Sequence, residues 1–425
     1  MEKDTIFQMS ASSIRFGPGA TREIGMDLAD MDIRNVMVVT DPNLAQLLPV
    51  ATVIESLEAE KVKYSLFDRA RVEPTNESFL EAIQFAQEGN FEAFIAVGGG
   101  STIDTAKAAN LYSTYPADFL DYVNAPIGKG KPVPGTLKPL YAVPTTAGTG
   151  SETTGVAIFD LVKMHAKTGI ANHRLKPTLG ILDPNNTKSQ PPVVAASTGL
   201  DVLTHAIESY TAIPFNQRSK PERPNLRPAY QGSNPISDPW ALEALRLLSK
   251  YLPRAYKDPE DEEARGMMLL AASYGGIGFG SAGLHLAHGM SYPVSGMVRD
   301  FKPDGFKVDH PIVPHGMAVV LNAPAVFRFT ASACPERHLK AAQVLGADIS
   351  NARPEDAGKI LSDKIIEYMQ MFVMPNGLSS IGYTTADIPA LVQGTLPQHR
   401  VTKLSPRPAG EEELTKLFED AMTYW

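Results

Sequence analysis

The run GLDVLTHAIESY, residues 199–210, sets Asp201 and His205 four positions apart among Leu200, Val202, Leu203, Ala206 and Ile207. On a helix, positions i and i+4 share a face. A carboxylate and an imidazole so placed can grip a metal, or they can form a polar stripe facing water. Of the chain's nine histidines, four fall between Leu284 and Gly316: His285 and His288 in GLHLAHGMSYP, His310 and His315 in VDHPIVPHGMAVV. Two of these imidazoles with the 201/205 pair complete a set of three nitrogens and one oxygen. That set suits Fe(II) or Zn(II) and poorly suits Mg(II) or Ca(II). Spacing leaves open which of the four converge, because a lone His more often serves the structure around it.

A second chemistry sits in two glycine-bearing loops. AVGGGSTIDTAKAAN (96–110) runs from an apolar strand through Gly98, Gly99, Gly100 and Ser101 into a helix, with Asp104 in its first turn. Glycines let a backbone approach a phosphate, and a helix N-terminus offers unpaired N–H groups. PTTAGTGSETTG (144–155) follows another strand and brings Thr145, Thr146 and Thr149. Its hydroxyls and flexible backbone suit a phosphate or ribose. Asp41, in VVTDPN, ends a further strand, where a carboxylate can bond ribose hydroxyls or simply start a turn. The separated glycines of the usual dinucleotide fingerprint are absent, so the pairing of two loops carries the nucleotide reading.

The elements that must position these groups fall into two halves. Strand-like runs at 35–40, 62–67, 91–97, 139–144, 154–160 and 178–183 alternate with helix-like stretches such as 43–59 and 77–87. That alternation predicts an α/β domain with a mostly parallel, Rossmann-like sheet over residues 1–190. After the turn-rich DPNNTKSQPP the patterns are helical: 193–212, 238–256, 260–275, 283–290, 316–329, 336–346 and 354–372. They predict an all-helical metal-binding and substrate domain over 191–425. Two long loops, 213–237 and 294–314, interrupt it, and a cleft between domains is the default site.

A chain of 425 residues with 43% hydrophobic residues, 20% charged residues and a net charge of −8 reads as an ordinary globular enzyme. The charge argues against nucleic acid as a partner. One cysteine, Cys334, cannot close an internal disulfide or build a cysteine-rich metal site. Neither a signal peptide nor a membrane-spanning run is evident, so a cytoplasmic protein is expected, or a mitochondrial matrix protein whose presequence is absent.

GGGSTIDTAKAA, PTTAGTGSE, GLDVLTHAIESY, HGMSYP and PHGMAVV occur in order, and together they resemble signatures of the iron-dependent (group III) alcohol dehydrogenases. KPTLGILDP, RPAYQGSNPISDPWA, GIGFGSAG, VDHPIVPHG and the tail DIPALVQGTLPQHRVTKLSPRP are similar to the hydroxyacid–oxoacid transhydrogenase branch of that family. The resemblance implies that Asp201, His205, His288 and His315 bind the metal, leaving His285 and His310 outside its ligands. It implies a cofactor site at Asp41, Gly98, Gly99, Gly100, Ser101, Thr145, Thr146, Thr149 and Lys167. Where many family members carry a second His, four residues after the HGM histidine, this chain has Tyr292, a candidate proton relay. Where the family often has Asn-Pro, it reads Glu73-Pro74-Thr75-Asn76.

The implied activity is metal- and NAD-dependent hydride transfer from 4-hydroxybutyrate to 2-oxoglutarate, with Fe(II), or Zn(II), and a tightly bound NAD. A homo-oligomer is expected. The alternatives are an iron alcohol dehydrogenase or 4-hydroxybutyrate dehydrogenase that exchanges its NAD and, more remotely, a dehydroquinate-synthase-like lyase or a non-catalytic binder. Small carboxylate substrates require a cation. Arg218, Lys220, Arg223 and Arg227 in the first long loop and Arg299, Lys302 and Lys307 in the second are the candidates.

Overall fold

The computed structural model describes residues 2–10, 12–162 and 166–425. It divides into two compact units, one of Ala11–Gln190 with Pro259–Ser273, the other of Met1–Ser10 with Pro191–Asp258 and Tyr274–Trp425. Compared with a single cut after residue 190, the chain's start and the segment 259–273 change sides.

In the first unit, strands β1 (Ile14–Phe16), β2 (Asn35–Val39), β3 (Lys63–Phe67), β4 (Ala93–Gly98), β5 (Leu140–Pro144), β6 (Val156–Leu161), β7 (Ala166–Ala171) and β8 (Leu179–Leu182) alternate with α1 (Ile24–Asp30), α2 (Leu48–Ala59), α3 (Asn76–Gly89), α4 (Gly100–Thr114) and α5 (Phe119–Tyr122). Six strands form a parallel sheet in the order β1-β8-β5-β4-β2-β3, and β6 and β7 form an antiparallel pair. A parallel sheet must be covered on both faces. Here Val36 and Val38 of β2 join one core cluster with Val50 and Val53 of α2, while Met37 and Val39 join the other with Ile103 and Ala106 of α4. The chain leaves β2 for β3 on one side and returns to β4 on the other. The C-terminal ends of β2 and β4 therefore flank a reversal of strand order, where open α/β sheets bind ligands.

The six strands expected from sequence are all present. Two were missed: β1, three residues at the sheet edge, and β7, which contains Gly169 and Lys167. Asp41 and Pro42 open a turn, so α2 starts at Leu48 and not near residue 43. Thr75 caps α3 in a reciprocal pair with Ser78, which accounts for the Pro-Thr-Asn sequence there.

The second unit contains α6 (Pro192–Thr211), α7 (Ser237–Lys257), the later part of α8 (Glu262–Ala282), α9 (Leu286–Gly296), α10 (His315–Val320), α11 (Ala323–Thr330), α12 (Pro335–Val344), α13 (Ala357–Met371), α14 (Ile388–Thr395), α15 (His399–Thr402) and α16 (Glu411–Asp420). The expected helix 316–329 is two, because Pro324 at the start of α11 cannot donate to the preceding turn. Helices α14 to α16 lie beyond the last run that periodicity predicts. α6 is buried along nearly its whole length and packs on α7 and α10. Among the described residues, no single helix is long and apolar enough to cross a membrane.

Candidate metal centre and dinucleotide cradle

Pro192 starts α6, and sixteen residues later the helix carries Glu208, one turn past His205, itself one turn past Asp201. These three polar side chains are almost fully buried, at 1% (Asp201), 3% (His205) and 0% (Glu208) exposure, so the stripe does not face water. α9 brings His288 and the first residue of α10 brings His315. Gly316 permits the α10 approach: a Cβ there would lie 2.1 Å from the Ser197 carbonyl oxygen and 2.9 Å from Asp201 Cβ.

The result is convergence. Asp201 Oδ1 lies 3.5 Å from His205 Nε2, 3.5 Å from His288 Nε2 and 3.9 Å from His315 Nε2. The four ligand atoms all fall within 4.8 Å of one another. Asp201 Oδ1 and His288 Nε2 are buried with no hydrogen-bond partner. Buried polar atoms are rarely left so, and an ion among them removes the cost. Ligand bonds of about 2.0–2.2 Å around one cation give donor separations of this size. The residues therefore fit a tetrahedral or open six-coordinate metal.

The electrostatics point the same way. Burial alone would raise the Asp201 carboxyl, but the imidazoles of His205, His315 and His288 outweigh it and hold the group well below the usual carboxylate range. Burial pushes His205 down to about 3, leaving a neutral imidazole with a lone pair to give. Burial opposes charge on His288 too, yet Glu208 and Asp201 raise it to about 9, so a cation taking its Nε2 must displace a proton.

Glu208 went unrecognised in the sequence reading. Its Oε2 pairs with His288 Nδ1, its Oε1 lies 3.3 Å from His285 Nδ1, and the backbone N–H of Ala287 donates to it at 2.7 Å. It fixes which nitrogen of His288 faces the cluster, as carboxylates behind metal-bound imidazoles do. The available signal was its helical spacing: residues 201, 205 and 208 share one face. His285 sits behind the ligands, bonded also to Thr211 Oγ1 at 3.0 Å. His310 pairs with exposed Asp309 and stands outside the cluster. Tyr292 follows His288 by one helical turn and is buried, and its hydroxyl accepts a bond from Arg400 Nη2 at 2.7 Å.

In the α/β unit, Gly98 ends β4, and Gly99 precedes α4 without a side-chain cap, leaving the helix's first N–H groups for a ligand. The cradle is shaped by missing side chains. A Cβ at Gly100 would lie 2.6 Å from Thr149 Cγ2, and one at Gly99 3.2 Å from Thr146 Oγ1. The Thr145 N–H donates to the Gly98 carbonyl at 3.1 Å, tying the two loops together. Asp41 lies at the end of β2, across the strand-order reversal, and burial raises its carboxyl. Its Oδ1 accepts the Asn43 N–H at 2.9 Å.

Ser101, Asp104 and Lys167 have structural partners. Ser101 Oγ accepts the Glu73 N–H at 3.2 Å. Lys167, buried, donates to Glu73 Oε2 at 2.6 Å and lies 3.0 Å from Asp160 Oδ1. Asp104 accepts from Ser151 Oγ at 2.6 Å and from the Ile158 N–H at 2.9 Å, holding α4 to β6. The loop cations are similarly occupied. Arg218 and Arg227 meet Asp4 at 2.7 Å and 3.1 Å, Lys220 meets Glu2 at 2.7 Å, and Arg299 meets Asp387 at 2.9 Å. Lys302 donates to the Val308 carbonyl, and Arg223 and Lys307 are exposed.

A parallel sheet with a glycine cradle and a buried cluster of three imidazoles and a carboxylate define a metal-dependent oxidoreductase. The model of iron-containing alcohol dehydrogenases matches residues 11–184, and the C-terminal model of the same family matches 229–422. The chain belongs to the iron-containing alcohol dehydrogenase family. A Bos taurus protein named "Hydroxyacid-oxoacid transhydrogenase, mitochondrial" is 59% identical over 421 residues, spanning 99% of this chain and 90% of that one. The Homo sapiens protein of the same name is 56% identical over the same shares. These relatives place the chain in the transhydrogenase branch. A solved 1,3-propanediol oxidoreductase superposes with a TM-score of 0.85 at 25% identity, covering 98% of this chain and 100% of its own. Sulfoacetaldehyde reductase from Bifidobacterium kashiwanohense, solved in complex with NAD+, gives 0.78 at 26% identity, covering 98% of each chain.

Proposed function

We propose that the protein transfers hydride from 4-hydroxybutyrate to 2-oxoglutarate through a retained nicotinamide dinucleotide, with Fe(II) as the resident metal. The observation that carries this is the convergence of Asp201, His205, His288 and His315, in a chain 59% identical to a protein named for hydroxyacid–oxoacid transhydrogenation. When bound, the metal supplies Lewis acidity toward a hydroxyl or carbonyl oxygen, and the dinucleotide carries the hydride between half-reactions.

The chain's own residues do the rest. Asp201, His205, His288 and His315 hold the cation, and Glu208 sets the tautomer of His288. The N-terminus of α4, with Gly98, Gly99 and Gly100, takes the pyrophosphate, while Thr145, Thr146 and Thr149 flank it and Asp41 faces the ribose. Ser101 and Lys167 act on that loop through Glu73, which both contact. The Tyr292 hydroxyl, one turn from His288 and bonded to Arg400, stands where many simple dehydrogenases of the family carry a His and serves as the proton relay. The donor set favours Fe(II) or Zn(II) over harder cations. The relatives' names include "mitochondrial", which supports a matrix setting over a cytoplasmic one.

The test omits nucleotide. Metal-loaded, extensively dialysed protein is given 4-hydroxybutyrate and 2-oxoglutarate, and both products are counted per enzyme. Many turnovers are expected. Turnover that appears only on adding NAD identifies an exchanging dehydrogenase and overturns the proposal.

A further inference from the structure

The substrates of the proposed reaction share one spacing. In 4-hydroxybutyrate the reacting carbon lies three carbon–carbon bonds from the carboxylate carbon. In 2-oxoglutarate the reacting carbon lies three bonds from the distal carboxylate carbon. One fixed cation can therefore serve both half-reactions. Most of the loop cations expected to do so are committed elsewhere: Arg218 and Arg227 to Asp4, Lys220 to Glu2, Arg299 to Asp387.

Arg400, in α15, is different. Its Nη1 is buried and has no hydrogen-bond partner. Its Nη2 donates to Tyr292 OH at 2.7 Å, and its guanidinium carbon lies 5.0 Å from the centre of the Tyr230 ring. The titratable groups that act on it most are those two tyrosines, and among the described residues it forms no ion pair with a carboxylate. A partly buried guanidinium whose Nη1 is enclosed and unpaired, with phenols beside it and no ion-pair partner among the described residues, is an expensive arrangement unless an anion arrives.

Two routes tie it to the metal cluster. Tyr292 stands one turn after His288 on α9, and α15 packs so closely on α9 that a Cβ at Gly289 would lie 2.8 Å from Thr402 Cγ2. By the other route, the Tyr230 ring lies 6.4 Å from Phe279, whose ring stacks on His205 at 4.2 Å.

We infer that Arg400 is the specificity-determining cation, binding the carboxylate that donor and acceptor present three bonds from the reacting carbon. The inference rests on the transhydrogenase reading above and names its substrate anchor. Tyr292 and Tyr230 hold the planar fork in place, and Nη1 is the donor left for a carboxylate oxygen. Hydrogen bonds to a charged partner of this kind are about twice as strong as neutral ones.

The test uses holoenzyme and the variants Arg400→Gln and Arg400→Lys. Steady-state rates are measured with 4-hydroxybutyrate, 2-oxoglutarate and carboxylate-free 1-butanol, and glutarate binding is measured by calorimetry. Arg400→Gln is expected to lower the ratio of kcat/KM for 4-hydroxybutyrate over 1-butanol by about 100-fold, mostly through KM, and to weaken glutarate similarly. Arg400→Lys, which keeps the charge without the fork, is expected to recover part of both. A ratio and a glutarate affinity that each move less than about threefold in either variant overturn the inference. Glutarate binding does not depend on turnover. A wild-type enzyme that fails to transhydrogenate sinks the functional reading, while glutarate affinity still decides Arg400.

Discussion

In the helical unit the site is made from side chains, whereas in the α/β unit it is made by leaving them out. Four side-chain atoms able to ligate a metal lie within 4.8 Å of one another in the first, and the proposed chemistry rests on them. The second offers backbone N–H groups at the start of α4, left without a side-chain cap, and Gly98, Gly99 and Gly100 add no side chain over them. The difference teaches where each is fragile. The metal cluster is broken by subtraction and the cradle by addition.

The strongest way to break the contrast is Asp201→Ala. Without the carboxylate of the proposed metal cluster, turnover should fall by at least about a thousandfold and bound metal should be lost, with helical content unchanged by circular dichroism. Retained metal would show that the three imidazoles suffice. Next, Glu208→Gln removes the acceptor of His288 Nδ1 while all four ligands stay. Metal affinity should drop about 10–100-fold in a chelator competition, and an unchanged affinity would make Glu208 a packing residue.

Addition is tested by Gly100→Ala. The new methyl meets Thr149 Cγ2 at 2.6 Å, so dinucleotide affinity, read by fluorescence titration, should weaken about tenfold. The double variant with Thr149→Ser should recover part of it, since Thr149 Cγ2 is the atom removed. The smallest effect is expected from Ser101→Ala. Its hydroxyl accepts one loop N–H, worth about 1 kcal/mol, so the loss should appear as a small drop in Tm with dinucleotide affinity within about threefold. A large loss of affinity would move Ser101 from loop support to direct phosphate contact.

The same contrast sets what was legible in the sequence. Asp201, His205, His288 and His315 stood out because few residue types ligate metals and the spacing in GLDVLTHAIESY fixes two on one helix face. The family resemblance, and not periodicity, chose His288 and His315 over His285 and His310. Helix phase offered Glu208 with the same force, but an acidic residue mid-helix has many ordinary uses. The strands of the central sheet were readable because residues buried on both faces make continuous apolar runs. β1 was too short to show a pattern, and β7 mixes Lys167 and Gly169 into its run. The partners of Arg218, Arg227 and Lys220 were invisible because Asp4 and Glu2 lie more than two hundred residues away in the chain. Arg400 stands apart for the converse reason: nothing in its neighbourhood of sequence reveals that Tyr292 and Tyr230 flank it.

Asp201, His205, Glu208 and Thr211 ride one rod, α6, at intervals of four, three and three residues. Deleting a single residue between 201 and 208 turns everything beyond it by about 100° and swings the carboxylate behind His288 out of line. Length variation in this enzyme is therefore expected to collect in the irregular segments after α6 and after α9, while α6 itself keeps a fixed count, like the teeth of a gear that must mesh at every pitch.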